Sequence, residues 1–177
     1  MQKHALYEAA SQIQMVVFDV DGVFTDGSIW INHLGEETKS FNVRDGHGVR
    51  MLIHYGVNVA VLSGRESKAV NVRMNELGVT DVLQGHIDKR RTLTEFIQSK
   101  DLDATEVAFV GDDIVDVPAM QLTGLSIAVA DAHDWVKKHA NYVTQARGGK
   151  GAVREVCELI LDAKGLLSTA LNYNLRQ

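Results

Sequence analysis

The sequence is poor in cysteine and proline and contains no long hydrophobic run. Cys157 is the only cysteine among 177 residues, which excludes an internal disulfide and a metal site built from several thiolates. On its predicted helix, Cys157 is expected to be a small core residue. Pro118 is the only proline, and no repeat, low-complexity tract or Pro/Gly-rich linker divides the chain. We therefore expect residues 1–177 to form a single domain.

Charge and hydropathy restrict the classes of partner. Charged residues interrupt every apolar run, so we expect neither a signal peptide nor a membrane span and, by default, a cytoplasmic location. The formal net charge is −5, whereas a general nucleic-acid-binding protein is usually basic. Hydrophobic residues make up 45% of the chain, which is enough for a sizeable core at this length. The expected partner is a small molecule rather than a nucleic acid or a membrane.

Residues 16–23, with the sequence VVFDVDGV, are the stretch around which the chain is organised. An apolar run leads directly into Asp19 and Asp21, as expected where a buried parallel strand delivers carboxylates at its carboxyl end. A second apolar run leads into Asp112 and Asp113, with Asp116 close behind. Carboxylates gathered at one sheet edge repel one another unless a cation or a shared proton intervenes. The two clusters predict a site for a hard divalent cation and a phosphate. For Asp19 and Asp21 alone, the alternative is a loop pair that caps the next segment.

The hydrophobic pattern alternates between strands and helices. Strands are predicted over 14–19, 57–62, 81–83, 107–110 and 125–129, with an edge strand at 142–144. Helices are predicted within 1–12, through 49–53, and over 66–77, 89–100, 115–122 and 152–163. This alternation predicts an α/β fold, a three-layer, Rossmann-like parallel sheet with right-handed crossovers.

Two short extended runs, 28–31 and 37–41, surround a glycine-containing turn and predict a β-hairpin flap over about residues 27–42. The segment is too short to be a large cap domain. Ile29, Ile31 and Phe41 would be exposed on a lone monomer, and an isolated two-stranded hairpin is marginal in water. Packing of hairpins from several subunits would remove both problems, so oligomerisation is a hypothesis. A C-terminal tail is predicted over about residues 165–177.

The strand ends carry a set of groups suited to phosphoryl transfer. Mg²⁺ prefers oxygen ligands and keeps several waters, so one carboxylate from each cluster is sufficient when a substrate phosphate completes the shell. Asp19 is the candidate nucleophile, and Asp21 could protonate the leaving alcohol and then activate water. Ser63 and its neighbouring amides could bind phosphate oxygens, and Lys89 adds a positive charge. Alone, such a serine is usually a helix cap and such a lysine is usually solvent-facing.

In order, these motifs resemble the four signature motifs of the haloacid dehalogenase superfamily: residues 18–23 (FDVDGV), 62–65 (LSGR), Lys89 and 111–113 (GDD). The resemblance implies a phosphatase with an aspartyl-phosphate intermediate on Asp19. It also implies Mg²⁺ held by the carboxylates of Asp19 and Asp112 and by the backbone carbonyl of Asp21. Asp113 would lie behind these ligands or add a further contact.

Three further stretches, 39–46, 128–132 and 148–155, are similar to those of the capless, tetrameric 3-deoxy-D-manno-octulosonate 8-phosphate phosphatases of lipopolysaccharide precursor synthesis. The resemblance implies a homotetramer and an acid-sugar phosphate as substrate. It also implies substrate contacts, in addition to the catalytic set, from Asp21, Asn42, Val43, Arg44, Asp45, Gly46, Arg50, Arg65, Arg73 and Lys89.

Alternatives remain open at this level. In phosphatases of the nonulosonate 9-phosphate, the residue after the Ser/Thr-Gly pair is typically acidic, whereas this chain has Arg65. Arg65 and Arg73 are eight residues apart, so they can share a helix face and suit a sugar carboxylate. A non-catalytic Mg²⁺-binding partner domain is a third reading. The glycine-rich residues 148–151 are interpreted as a hinge, and the resemblance suggests that Lys150 or Arg154 approaches a neighbouring subunit's site.

Overall fold

The structure is a computed structural model and describes residues 3–173. Its central sheet has six parallel strands: β1 (Met15–Phe18), β4 (Asn58–Leu62), β5 (Asp81–Leu83), β6 (Val107–Gly111), β7 (Leu125–Ala128) and β8 (Tyr142–Val143). Their order across the sheet is β5-β4-β1-β6-β7-β8. Phe18 pairs with Val61 on one side and with Val110 on the other. The carboxyl ends of β1, β4 and β6 therefore lie side by side, and the predicted parallel sheet and edge strand are confirmed.

Helices cover both faces of the sheet, which completes the three predicted layers. One layer contains α1 (Lys3–Gln12), α2 (Val43–His54), α3 (Lys68–Leu77) and α7 (Ala152–Ala163); the other contains α4 (Lys89–Ser99), α5 (Val117–Met120) and α6 (Asp134–His139). The last helix, α8 (Leu167–Tyr173), packs on α7 and occupies most of the predicted tail; residues 174–177 lie outside the described residues. Cys157 is fully buried on α7, as predicted. Among residues 3–173, no helix combines the length and apolar character that a bilayer crossing requires.

The flap is a hairpin of β2 (Trp30–Ile31) and β3 (Glu37–Thr38), and it is the only β-structure between β1 and α2. Its strands are shorter than predicted. Four apolar side chains of the hairpin are exposed: Ile29, Trp30, Ile31 and Leu34. Phe41 is the exception to the predicted exposure, since it packs partly buried against the core of its own chain.

α2 begins earlier than the sequence predicts, at Val43. The Asn42 Oδ1 accepts a hydrogen bond from the Arg44 N–H at 2.8 Å and caps the helix. Two glycines within the first turns oppose helix formation, but close packing accounts for both. A Cβ at Gly48 would lie 2.9 Å from Arg154 Cδ on α7, and one at Gly46 would lie 2.2 Å from Arg73 Nη2 on α3.

The glycine-rich loop before α7 packs against the turn that follows β1. The Gly149 N–H donates to the Val23 carbonyl at 2.9 Å. A Cβ at Gly148 would lie 1.7 Å from the Gly22 carbonyl oxygen, and one at Gly149 would lie 2.6 Å from Thr25 C. The residues interpreted as a hinge therefore form a packed loop, which supports the turn after β1.

Candidate active site

Three carboxylates from two strand ends converge at the carboxyl edge of the sheet. Asp19 follows β1, and Asp112 and Asp116 follow the neighbouring β6. One oxygen from each of the three lies within 4.8 Å of the others. The parallel register of β1 and β6 thus brings together residues that are more than 90 positions apart in the sequence. Convergence of Asp19 with Asp112 is what the sequence predicts, whereas the contribution of Asp116 is larger than expected.

Lys89 is the cation at this cluster. Its Nζ lies 2.7 Å from Asp19 Oδ1 and 2.5 Å from Asp116 Oδ1, and its side chain is only 4% exposed. Asp88 caps α4 by accepting the Arg91 N–H, which fixes the helix start that carries Lys89. Buried lysines are rare unless paired, so this lysine is a built part of the site rather than a solvent-facing one.

Asp116 acts as an anchor within the cluster. Its Oδ2 accepts the backbone N–H groups of Asp112 at 2.9 Å and Asp113 at 3.2 Å, while Oδ1 binds Lys89. Both oxygens are therefore occupied. A Cβ at Gly111 would lie 2.5 Å from Asp116 Cβ, so the strand end accommodates Asp116 because residue 111 is a glycine.

The electrostatics of the cluster show an excess of negative charge. Burial, followed by the neighbouring carboxylates of Asp19 and Asp116, raises the pKa of Asp112 to about 8. Burial and Asp116 likewise raise the pKa of Asp19 to about 6, although Lys89 opposes the shift. Within residues 3–173, the Asp112 carboxylate accepts no hydrogen bond. An all-oxygen donor set with surplus negative charge fits a hard divalent cation such as Mg²⁺.

Asp112 is held in place by contact with the turn after β1. Gly22 has φ +87, and a Cβ there would lie 2.1 Å from Asp112 Oδ2. Gly22→Ala should therefore displace Asp112 as well as strain the backbone, at about 1–3 kcal/mol for the strain alone. We expect this variant to lose most of the rise in Tm that Mg²⁺ gives the wild type in a thermal unfolding assay.

Gly27→Ala is the matched control for this change. Gly27 also has a positive φ, +78, but the nearest atom to its added Cβ is 3.8 Å away. Gly27→Ala should therefore destabilise the fold and still respond to Mg²⁺. An equal response of the two variants to Mg²⁺ would contradict the role given to the Gly22–Asp112 contact.

A cavity of about 310 Å³ opens above the carboxylates, and its lining includes Asp19, Asp21, Ser63, Arg65 and Lys89. Ser63 is buried, and its Oγ accepts the Arg65 N–H at 3.2 Å, which leaves the hydroxyl proton available to a ligand oxygen. The structure thus places all four predicted catalytic side chains around one opening.

Asp21 stands at the edge of the cavity between two cations. Lys39 Nζ is hydrogen-bonded to Asp21 Oδ1, and Arg65 Nε lies 3.8 Å from Asp21 Oδ2. Arg65 also donates to Glu37 Oε2 at 2.5 Å, and this contact is the main reason that the pKa of Glu37 falls to about 2. The flap is therefore ion-paired to the cavity wall.

The residues predicted to contact substrate divide into two groups. Arg65 lines the cavity, together with Asp21 and Lys89. The others lie elsewhere in this chain. Asp45 is fully buried and accepts the N–H groups of Gly151 and Arg154, so it caps α7.

The other members of the second group are on or beside α2 and α3. Asn42 caps α2 and donates to the Gly149 carbonyl at 3.3 Å, while Val43 and Arg44 are exposed. Arg73 packs over Gly46 and pairs with Glu76 at 3.2 Å. Arg50 lines a separate cavity of about 370 Å³ with His47, His54 and Tyr173. Within one chain, these residues do not line the cavity above Asp19.

Sequence reasoning missed Lys39, and it placed Asp116 in the second acidic cluster without giving it a role. Asp116 lies four residues after Asp112, and a 3-10 turn over Ile114–Asp116 folds its carboxylate back towards the strand end. The four-residue spacing between Asp112 and Asp116 was the feature of the sequence that could have indicated this contact. Nothing in the sequence around Lys39 indicates that its ammonium is buried beside Asp21.

The family model for haloacid dehalogenase-like hydrolases matches residues 60–155. This match, together with the acidic ends of β1 and β6 and the lysine between them, defines the class: the protein is a haloacid dehalogenase-like hydrolase.

Relatives narrow the class to a family. The 3-deoxy-D-manno-octulosonate 8-phosphate phosphatase of Yersinia pestis is 46% identical over 92% of this chain and 87% of its own length, and that of Escherichia coli strain K12 is 45% identical over 91% and 86%. A solved Moraxella catarrhalis enzyme of the same name, in complex with a magnesium ion, a phosphate ion and a KDO molecule, is 35% identical, with a TM-score of 0.96 over 98% of this chain and 99% of that one. The chain belongs to the 3-deoxy-D-manno-octulosonate 8-phosphate phosphatase family and is a phosphoric monoester hydrolase.

Proposed function

We propose that this protein hydrolyses 3-deoxy-D-manno-octulosonate 8-phosphate to the free sugar acid and phosphate, using Mg²⁺, in lipopolysaccharide precursor synthesis. The observation that carries the proposal is the placement of Asp19. Its carboxylate lies at the base of a cavity, bound to Lys89 and within 4.8 Å of Asp112. We infer the substrate from the relatives, which are named as 3-deoxy-D-manno-octulosonate 8-phosphate phosphatases.

The side chains support a two-step reaction. An oxygen of Asp19 attacks phosphorus, the bond from phosphorus to the sugar oxygen breaks, and Asp21 gives its proton to that oxygen. Asp21 then takes a proton from water, the water oxygen attacks phosphorus, and the bond to Asp19 breaks to release phosphate. Ser63 binds phosphate oxygens, and Lys89 binds both a phosphate oxygen and Asp19. Together they keep the phosphorus atom in line with the attacking oxygen of Asp19.

The metal site in this proposal consists of the carboxylates of Asp19 and Asp112 and the backbone carbonyl of Asp21. When bound there, Mg²⁺ would neutralise the negative charges of the carboxylates and of the phosphate. Asp113 lines the cavity, but its Oδ1 accepts the Ile114 N–H at 2.7 Å and caps the turn that contains Asp116. Asp113 is therefore assigned a structural part.

The carboxylate of the sugar acid needs a cation of its own, in addition to the cations that bind the phosphate. Arg65 is the guanidinium on the cavity wall, and it is half-exposed towards the opening, with 48% of its side chain accessible. Both acid-sugar phosphates carry a carboxylate that a guanidinium can bind, so charge complementarity alone does not separate them. The choice of the eight-carbon acid is supported by Arg65 standing where phosphatases of the nonulosonate 9-phosphate typically have an acidic residue.

A homotetramer and a cytoplasmic location complete the proposal. The hairpin exposes Trp30 and Ile31, each at 64%, beside Leu34 at 70%, and an apolar surface of this kind is typical of a subunit contact. The single, unpaired Cys157 is compatible with a reducing compartment. In a tetramer, residues such as Arg50, Lys150 and Arg154 would be available to a neighbouring cavity.

The test is a phosphate-release assay on the purified protein with Mg²⁺. We expect kcat/KM for 3-deoxy-D-manno-octulosonate 8-phosphate to exceed that for the nonulosonate 9-phosphate and that for arabinose 5-phosphate, which lacks the carboxylate, by at least about tenfold. EDTA should abolish release, and added Mg²⁺ should restore it. Light scattering on the same sample should give four chains of 19.5 kDa each.

Three results would count against parts of this proposal. A preference for the nine-carbon ester would reassign the substrate, and activity that persists in EDTA would remove the metal. No release from any ester would favour a non-catalytic Mg²⁺-binding partner domain.

A further inference from the structure

Lys39 is a buried lysine of the flap that the reaction described above does not use. It follows β3, and its side chain is only 1% exposed. Taking an ammonium group out of water costs several kcal/mol unless strong partners compensate. The partners are Asp21, to which Lys39 Nζ is hydrogen-bonded, and Glu37, whose Oε1 lies 3.2 Å away without hydrogen-bond geometry.

Lys39 contacts Asp21 without lining the cavity. Lys89 and Arg65 both line the opening above Asp19, but Lys39 does not. Its side chain is buried, with the ammonium against the Asp21 carboxylate. Its contact is with the carboxylate that is assigned the proton transfers, and this contact comes from the flap rather than from the sheet.

The second oxygen of Asp21 faces a cation as well. Arg65 Nε lies 3.8 Å from Asp21 Oδ2, and the other end of that guanidinium is bound to Glu37. Two cations and two carboxylates thus alternate in one network, with two of the groups from the flap and two from the sheet. The Asp21 side chain has few rotatable bonds, so a hydrogen bond at one oxygen and a cation near the other restrict its orientation relative to the cavity.

We propose that Lys39 is a positioning residue: it holds the Asp21 carboxylate in the orientation that serves the leaving oxygen, so that the flap takes part in the proton transfer. The inference rests on the proposed function, in which Asp21 is the general acid. General acid catalysis contributes about 10²–10⁴-fold when the leaving group is a poor one. A misplaced Asp21 should therefore harm esters of alcohols far more than esters of acidic phenols.

The test compares two esters in the Lys39→Met variant of the full chain with Mg²⁺. The sugar ester, 3-deoxy-D-manno-octulosonate 8-phosphate, needs a proton on its leaving oxygen, whereas p-nitrophenyl phosphate releases a stable anion. We expect kcat/KM to fall about 100-fold for the sugar ester and less than about threefold for p-nitrophenyl phosphate. This constant reports the steps up to release of the first product, so hydrolysis of the phospho-enzyme does not enter it.

Asp21→Asn provides the reference, because it removes the acid itself. It should show the same dependence on the leaving group, and adding Lys39→Met to it should lower kcat/KM by less than about twofold. Lys39→Gln, which keeps a neutral donor, should give a smaller loss in the same direction, and it serves if Lys39→Met does not fold.

Two results would overturn the inference. Equal losses for both esters would make Lys39 a purely structural residue, and no loss for either would leave it without a part in the reaction. Failure of the proposed function is separate from both, since it would appear in the wild type, as absence of hydrolysis, and not in the ratio of variant to wild type.

Discussion

Asp19→Asn abolishes hydrolysis in the expected result, with kcat lower by on the order of 10⁴-fold or more. An amide cannot act as the nucleophile that a carboxylate provides, and the two carboxylates that converge with Asp19 are engaged in other contacts. Asp116 has both oxygens bound, and Asp112 is packed against Gly22. Asparagine has nearly the same shape as aspartate, so the cavity should be retained. Initial rates of phosphate release, with a labelled-substrate assay for phosphate bound covalently to the protein, measure the loss.

Asp113→Asn is the matched control for this variant. Asp113 also lines the cavity, and the side-chain oxygen of asparagine can still accept the Ile114 N–H. The loss should stay below about tenfold, because the control changes the charge at the cavity without removing Asp19, the proposed nucleophile. If Asp19→Asn kept more than about one hundredth of the wild-type rate while remaining folded, the nucleophile would have to be another group.

Lys89→Met should have the largest effect on stability, a loss of about 3–5 kcal/mol in the free energy of unfolding. Lys89 is the ammonium that contacts both Asp19 and Asp116, and all three side chains are at most 8% exposed. Methionine fills the same space but leaves two buried carboxylates without a counter-charge. Urea denaturation followed by circular dichroism gives the free energy.

The loss should also depend on pH. The pKa of Asp19 is already raised by burial to about 6, above its ordinary value of 3.8, and removal of Lys89 raises it further. A folded-state pKa above the unfolded one means that ionisation of Asp19 destabilises the fold above that pKa and has no effect below the unfolded value. The difference between Lys89→Met and wild type should therefore shrink as the pH is lowered from about 8 to about 4.

Lys100→Met shows what an ordinary ion pair contributes. Lys100 Nζ lies 2.7 Å from Asp81 Oδ1, but its side chain is 35% exposed. Its removal should cost less than about 1 kcal/mol, with little change over the same pH range. A Lys89→Met loss no larger than that of Lys100→Met would mean that the carboxylate cluster does not need this ammonium.

The parallel sheet was predictable because its strands are short apolar runs bounded by glycine or aspartate. β1 and β6 are buried at every position, so their hydrophobic content alone marks them. The convergence of Asp19 with Asp112 followed from the same pattern, since the ends of parallel strands meet at one edge. Lys89 was located by its place at a helix start.

Local patterns could not supply contacts that depend on distant backbone. α2 starts at Val43 because Asn42 caps it, and the glycines that follow resemble a loop until α7 and α3 are packed over them. Asp45 looks like a ligand-binding residue by resemblance, but α7 lies close enough for it to serve as a cap. The buried position of Lys39 depends on how the flap folds back, which no periodicity encodes.

The support that Gly148 and Gly149 give to the turn at Gly22 has a consequence for biosynthesis. Asp19, the proposed nucleophile, emerges early from the ribosome, but the residues that pack behind its turn are made more than 120 residues later. A nascent chain that ends before Gly148 contains the residues of β1, β4 and β6, yet it lacks the backbone that packs against Gly22. Catalytic competence should therefore appear only when the last fifth of the polypeptide has been translated, so a partly made chain would not consume the substrate.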